Sequence, residues 1–90
     1  MNKRSRNKAR TEYFDLMIEG RQIAVSATPY LINGLETRFR VSYSGSPVYI
    51  FGLDSETHQV KLIDSSMMPP VQIRDAIAAR LEKMENRRAA

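Results

Sequence analysis

Ninety residues, 42% hydrophobic and 27% charged, make one domain with one modest core, too small to enclose a deep catalytic cleft. The absence of cysteine excludes disulfides, thiolate zinc sites and cysteine nucleophiles, and suits a reducing compartment. The formal charge of +4 belongs to one end of the chain: Lys3, Arg4, Arg6, Lys8 and Arg10 are five cations with no acid among them, whereas residues 11–90 hold nine basic and ten acidic residues, a net of −1.

Residues 1–10, MNKRSRNKAR, show no periodicity and nothing to offset the entropy of ordering, so a disordered basic arm is expected there. No apolar run follows it as in a secretory leader, and no stretch approaches the roughly 20 apolar residues of a membrane span. A soluble, cytoplasmic protein without membrane contact is expected.

From Thr11 the sequence alternates. Phe14, Leu16 and Ile18 face one way and Asp15, Met17 and Glu19 the other, the pattern of a half-buried strand. A turn at Gly20-Arg21 then leads into a second strand in which Ile23, Val25 and Ala27 alternate with Gln22, Ala24 and Ser26. Pro29 has no N–H for a ladder. Asn33-Gly34 is the strongest turn signal, since both residues accept the positive φ of a type I′ hairpin. A two-residue loop there pairs Ile32 with Leu35 and sets Phe39 against the parity of Ala27; a bulge near Pro29 is expected to restore the register. Leu35–Tyr43, Val48–Leu53 and His58–Asp64 read as three more strands, joined by the turns Ser44–Pro47 and Asp54–Thr57. Such short links make consecutive strands antiparallel neighbours.

Met67-Met68-Pro69-Pro70 ends the sheet, because a residue before proline avoids the α region. Pro70 suits the first helical position, with Met68 stapled onto Ile73. The helix is predicted over Pro70–Asn86. Ile73, Ile77, Leu81 and Met84 form one stripe, bordered by Ala76 and Arg80, so a single face docks on the sheet. The expected fold is α+β: an antiparallel five-stranded meander, strongly bent, with one carboxyl-terminal helix on one face. Residues 11–87 form the domain and 88–90 a frayed tail.

Three features invite a functional reading. Glu36–Gly52, ETRFRVSYSGSPVYIFG, interleaves arginine with aromatics as nucleic-acid surfaces do. Strand parity divides it, however: Phe39, Val41 and Tyr43 share one face, Arg38, Arg40 and Ser42 the other. A stacking platform needs both kinds on one exposed face. The next strand is apolar on both sides, with Val48 and Ile50 facing one way and Tyr49, Phe51 and Leu53 the other. One helix covers only one face, so either the sheet bends strongly into a barrel-like shape or the set left open is a contact for a protein partner or a second copy of the chain. The basic arm, through Lys3, Arg4, Arg6, Lys8 and Arg10, is the alternative: an accessory nucleic-acid contact made to phosphates.

His58, the single histidine, lacks a second metal ligand at suitable spacing. Asp54 and Glu56 fit turn chemistry. The run YSGSP is not a G-x-S-x-G nucleophile elbow, and the four glycines make no phosphate loop. No catalytic constellation, metal site or cofactor is expected. The reading is a small non-catalytic interaction module, self-associating or binding a protein, with nucleic acid as the alternative partner.

Overall fold

The computed structural model describes residues 10–65 and 67–89, with side chains described as far as 86. Five strands follow in order: β1 (Glu12–Ile18), β2 (Arg21–Ile32), β3 (Glu36–Tyr43), β4 (Tyr49–Leu53) and β5 (Val60–Ser65), then one helix, α1 (Val71–Ala89). They form a single antiparallel meander in the spatial order β1-β2-β3-β4-β5. The fold is the α+β arrangement expected.

The turns set the register. Glu19 and Gly20 both have positive φ, and Ile18 pairs with Arg21. The first tight turn therefore lies one residue earlier than Gly20-Arg21. Asn33 and Gly34 also have positive φ, and Leu35 N–H donates to the Ile32 carbonyl at 3.1 Å. Yet the first ladder partner of Ile32 is Glu36. Leu35 is thus an extra residue beside the turn, and this resets the parity. β2 then runs against β3 without a register break, Ala27 opposite Val41 and Pro29 opposite Phe39. The bulge expected near Pro29 is absent because the loop has already supplied the extra residue. Pro29 also lies two residues past the last β1–β2 pair, Glu12 with Ala27. On that side β2 has become an edge, where a strand tolerates a missing N–H.

The irregularity falls instead between β4 and β5: Ile50 pairs with Asp64 and Phe51 with Leu62, leaving Ile63 as the additional residue. Ile63 lies over Gly52 so closely that a Cβ at position 52 would collide with its Cδ1. A glycine in a central strand marks such a close approach.

The core collects Leu16, Val25, Ala27, Phe39, Val41, Tyr49, Phe51 and Val60 from one sheet face, with Ile77 and Leu81 from α1. Ile73 and Met84 pack around it, completing the predicted stripe. The Pro70 carbonyl accepts from Arg74 N–H at 2.9 Å, so Pro70 stands just before the helix as its cap. Pro69 is buried and Met68 is 66% exposed, so Met68 does not make the buried staple expected of it.

Apart from its own core contacts, α1 touches chiefly β1 and β5, the two edge strands. In a flat sheet these lie about 19 Å apart, four strand spacings, whereas a helix is about 10 Å across. Contact with both edges therefore requires the sheet to curl around α1. The curl stops short of closure, since β1 and β5 do not pair.

Two helix side chains seal the gap. Arg80 lies 4.8 Å over the Phe14 ring and donates to the Asp15 carbonyl at 3.4 Å. Glu82 Oε2 accepts from Val60 N–H at 2.8 Å. Residues two apart on a helix project about 200° from each other, so one side chain reaches each edge. Both edge strands thereby gain a partner for exposed backbone, the usual defence against edge-to-edge association.

Candidate functional site

With one sheet face closed by α1, the opposite face is the candidate surface. Its side chains follow from register. Tyr13 of β1 lies opposite Ser26, which lies opposite Ser42. The next row is Thr28, Arg40, Ile50 and Asp64; the row after that is Tyr30, Arg38, Gly52 and Lys61. Hydroxyl pairs knit the β2 side of this face: Thr11 with Thr28 at 2.7 Å, and Ser26 with Ser42 at 3.1 Å.

The five expected interface residues separate cleanly. Tyr49 and Phe51 are in the core, 2% and 0% exposed, and Leu53 packs beside them. Val48, just ahead of β4, is largely exposed, and Ile50 is half-buried on the open face. Helix docking thus leaves Val48 and Ile50 as the members of that set on the accessible surface. Tyr13, Met17 and Ile63 join them as exposed apolar side chains.

Arg38 and Arg40 do lie on the face opposite Phe39 and Tyr43. Parity within β3 is not the whole of the matter, because the extra residue at Leu35 aligns Tyr30 directly with Arg38. Arginine and tyrosine therefore meet across strands on the open face, a juxtaposition that no single strand displays. The signal lay in the register conflict around Asn33-Gly34; placing the extra residue in the loop puts Tyr30 in the arginine row.

The charges differ in how they are held. Arg38 Nη2 pairs with Glu36 Oε2 at 3.2 Å, and Asp15 accepts from Gln22 Nε2 at 2.7 Å. Arg40, exposed on the central strand, has no hydrogen bond or ion pair among the described residues. Beside Tyr13, the small side chains Ala24, Ser26 and Ser42 floor an open depression of about 270 Å3. Arg10, the last residue of the basic arm, is exposed; Lys3, Arg4, Arg6 and Lys8 lie outside the described residues.

Elsewhere the polar groups serve the fold. Asp54 Oδ1 accepts from the N–H groups of Glu56 and Thr57 at 2.8 and 3.3 Å. These two backbone bonds hold its carboxyl below the usual value. His58 N–H closes the same turn onto the Asp54 carbonyl at 2.7 Å, with His58 itself at positive φ. On the closed face, Tyr43 and Tyr49 stack with centroids 5.7 Å apart and planes at 10°. Burial, with the neighbouring Tyr49 hydroxyl, pushes the Tyr43 phenol up to about 12.

A groove of about 510 Å3 follows β5 beside α1. The Arg74 and Asp75 side chains on its rim pair with each other at 3.1 Å, and no nucleophile–base pair converges on it. Among the described residues no group of three or more His, Cys, Asp or Glu could hold a metal, and no helix is long and apolar enough to cross a membrane. Comparison with protein-family models, with curated proteins and with solved structures finds no match.

Proposed function

We propose that this chain is a small non-catalytic interaction module, working in the cytoplasm, whose contact surface is the open face of the sheet. One observation carries the reading: α1 closes one face, and the other presents exposed Tyr13, Met17, Val48 and Ile63 and half-buried Ile50, uncovered by any of the described residues. In its protein-binding form, Val48 and Ile50 make the apolar contact with a partner chain or a second copy. Light scattering over a concentration series tests self-association. A mass that rises above the monomer for the native chain and stays monomeric for Ile50→Lys is expected of it; a strict monomer at every concentration removes it.

A second reading draws on a separate observation. Tyr30 stands opposite Arg38 in the ladder, one row from the unpaired Arg40, so the face offers aromatic and cationic groups together. That combination suits nucleic acid, with the basic arm as an additional phosphate contact.

A further inference from the structure

We infer that the occupant of the open face is a second copy of this chain, seated on a two-fold axis that runs along β4, with Ile50 against Ile50 and Arg40 of each copy paired with Asp64 of the other. The inference rests on the open face being the contact surface, and it names the occupant and the axis.

The apolar groups beside β4 lie in a line. Val48 and Ile50 share the open side of the chain. Gly52 continues their parity without a side chain, but Ile63, the extra residue of the β4–β5 irregularity, lies over it. An extra residue in a ladder re-aims a side chain in this way, and here it fills the gap that glycine leaves. Val48, Ile50 and Ile63 thus make one stripe along β4, with Val48 and Ile63 48% and 46% exposed.

One charge of each sign flanks that stripe. Arg40 and Asp64 are the ladder neighbours of Ile50 on β3 and β5, each about one strand spacing of 4.8 Å away. Both are exposed, and neither has an ion pair or hydrogen bond among the described residues. An apolar centre with a polar margin is the layout of a protein interface, whose core is depleted in charge. Across the whole face Arg38, Arg40 and Lys61 offset Asp15, Glu36 and Asp64, so no net charge sets the face against its own copy.

Shape and charge together select the axis. The sheet curls around α1 to meet it with both edges, so the open face is convex across the strands. Two such faces that cross touch at a point; with their strands aligned they touch along a line. Aligned sheets keep their strands within about 30° of each other. A two-fold dimer sets a patch against itself, and two aligned axes pass through Ile50. An axis across the strands lays each strand on its own copy and brings Arg40 against Arg40 and Asp64 against Asp64. An axis along β4 exchanges the places of β3 and β5, so Arg40 meets Asp64 twice while the apolar stripe meets itself. The unpaired charges fit the second axis. Arg38 of one copy then approaches Lys61 of the other, but it brings Glu36 with it, paired at 3.2 Å, so Lys61 meets an ion pair rather than a lone cation.

The test is light scattering of the full chain over a series taken to high concentration, because a narrow contact makes a weak dimer. Arg40→Asp and Asp64→Arg should each weaken self-association about 10-fold, since each turns two attractive contacts into repulsive ones. Mixed in equal amounts, these two variants should recover association close to the native level, because every contact between positions 40 and 64 across the axis again joins opposite charges. Val48→Lys, just ahead of β4, should abolish association as Ile50→Lys does, at a site outside the ladder. Lys83→Glu, on the exposed side of α1, serves as the charge control and should leave association unchanged.

Association that survives unweakened in the single charge variants, or that their mixture fails to restore, overturns the axis along β4; the open face then stands if the two lysine variants still abolish association. Association that both lysine variants leave intact overturns the open face as well. A native chain that stays monomeric at every concentration overturns the second copy.

Discussion

Ile50 and Phe51 are adjacent in β4 and belong to different worlds. Phe51 is completely buried under α1, opposite Phe39 and Leu62. Ile50 lies on the open face between Arg40 and Asp64. The closed face is apolar at its centre and is bounded by helix side chains that reach each edge strand. The open face mixes tyrosine, arginine, hydroxyls and a few apolar groups, and its central Arg40 has no partner among the described residues. One face excludes water and the other lies open to it.

The sharpest contrast is energetic. Phe51→Ala should destabilise the fold by about 3–5 kcal/mol through lost burial and a cavity, whereas Ile50→Ala should cost well under half of that. Urea denaturation of the two variants measures the difference. Equal losses would mean that the open face is itself covered.

Next in size is the seal between helix and sheet edge. Glu82→Ala strips the acceptor from Val60 N–H and should cost about 1–2 kcal/mol, with faster amide exchange at Val60. An unchanged exchange rate there would show that the edge is protected by other means. Gly52→Ala is a close third. The new Cβ meets the Ile63 side chain, whose far end can turn away, so a loss of about 1 kcal/mol is expected. In an Ile63→Ala background the same change should cost less, a coupling that a double-mutant cycle reads directly.

The smallest effects are those of pH. The Asp54 carboxyl is depressed below 3.8 by the backbone N–H groups of Glu56 and Thr57. Its contribution is present above the unfolded-state value and fades as pH falls through the folded one. Acid titration of Asp54→Asn should lack that part of the stability loss below about pH 4. At the alkaline end, Tyr43 ionises at about 12 rather than 10.0. The stabilisation linked to its neutral phenol holds below the unfolded value and is lost as pH climbs through the folded one. Ultraviolet titration should show one late tyrosine that disappears in Tyr43→Phe.

Much of the fold was legible because its signals are local. Alternation marks the strands, Asn33-Gly34 one turn and Gly20-Arg21 another to within one residue, and the Ile73–Ile77–Leu81–Met84 stripe the docked helix face. Parity correctly separated Arg38 and Arg40 from Phe39 and Tyr43. What escaped depends on counting across turns. One residue, Leu35, sits in the loop instead of a bulge at Pro29, and this decides that Tyr30 stands opposite Arg38. Which side of β4 the helix takes was likewise hidden, because both sides are apolar. The choice follows from the combined face of Phe14, Leu16, Val25, Val41 and Phe39, with which Tyr49 and Phe51 share parity once register is fixed. The pairing of Arg80 and Glu82 with opposite edges needs the curl of the sheet, which no strand declares alone.

The most direct test of the open face is a concentration series of the full chain followed by NMR. Shift changes should concentrate at Val48, Ile50 and Ile63 as the chain is concentrated, with Ile77 and Leu81 unmoved. Changes that centre on α1 and the β5 groove, leaving Val48 and Ile50 still, would contradict it.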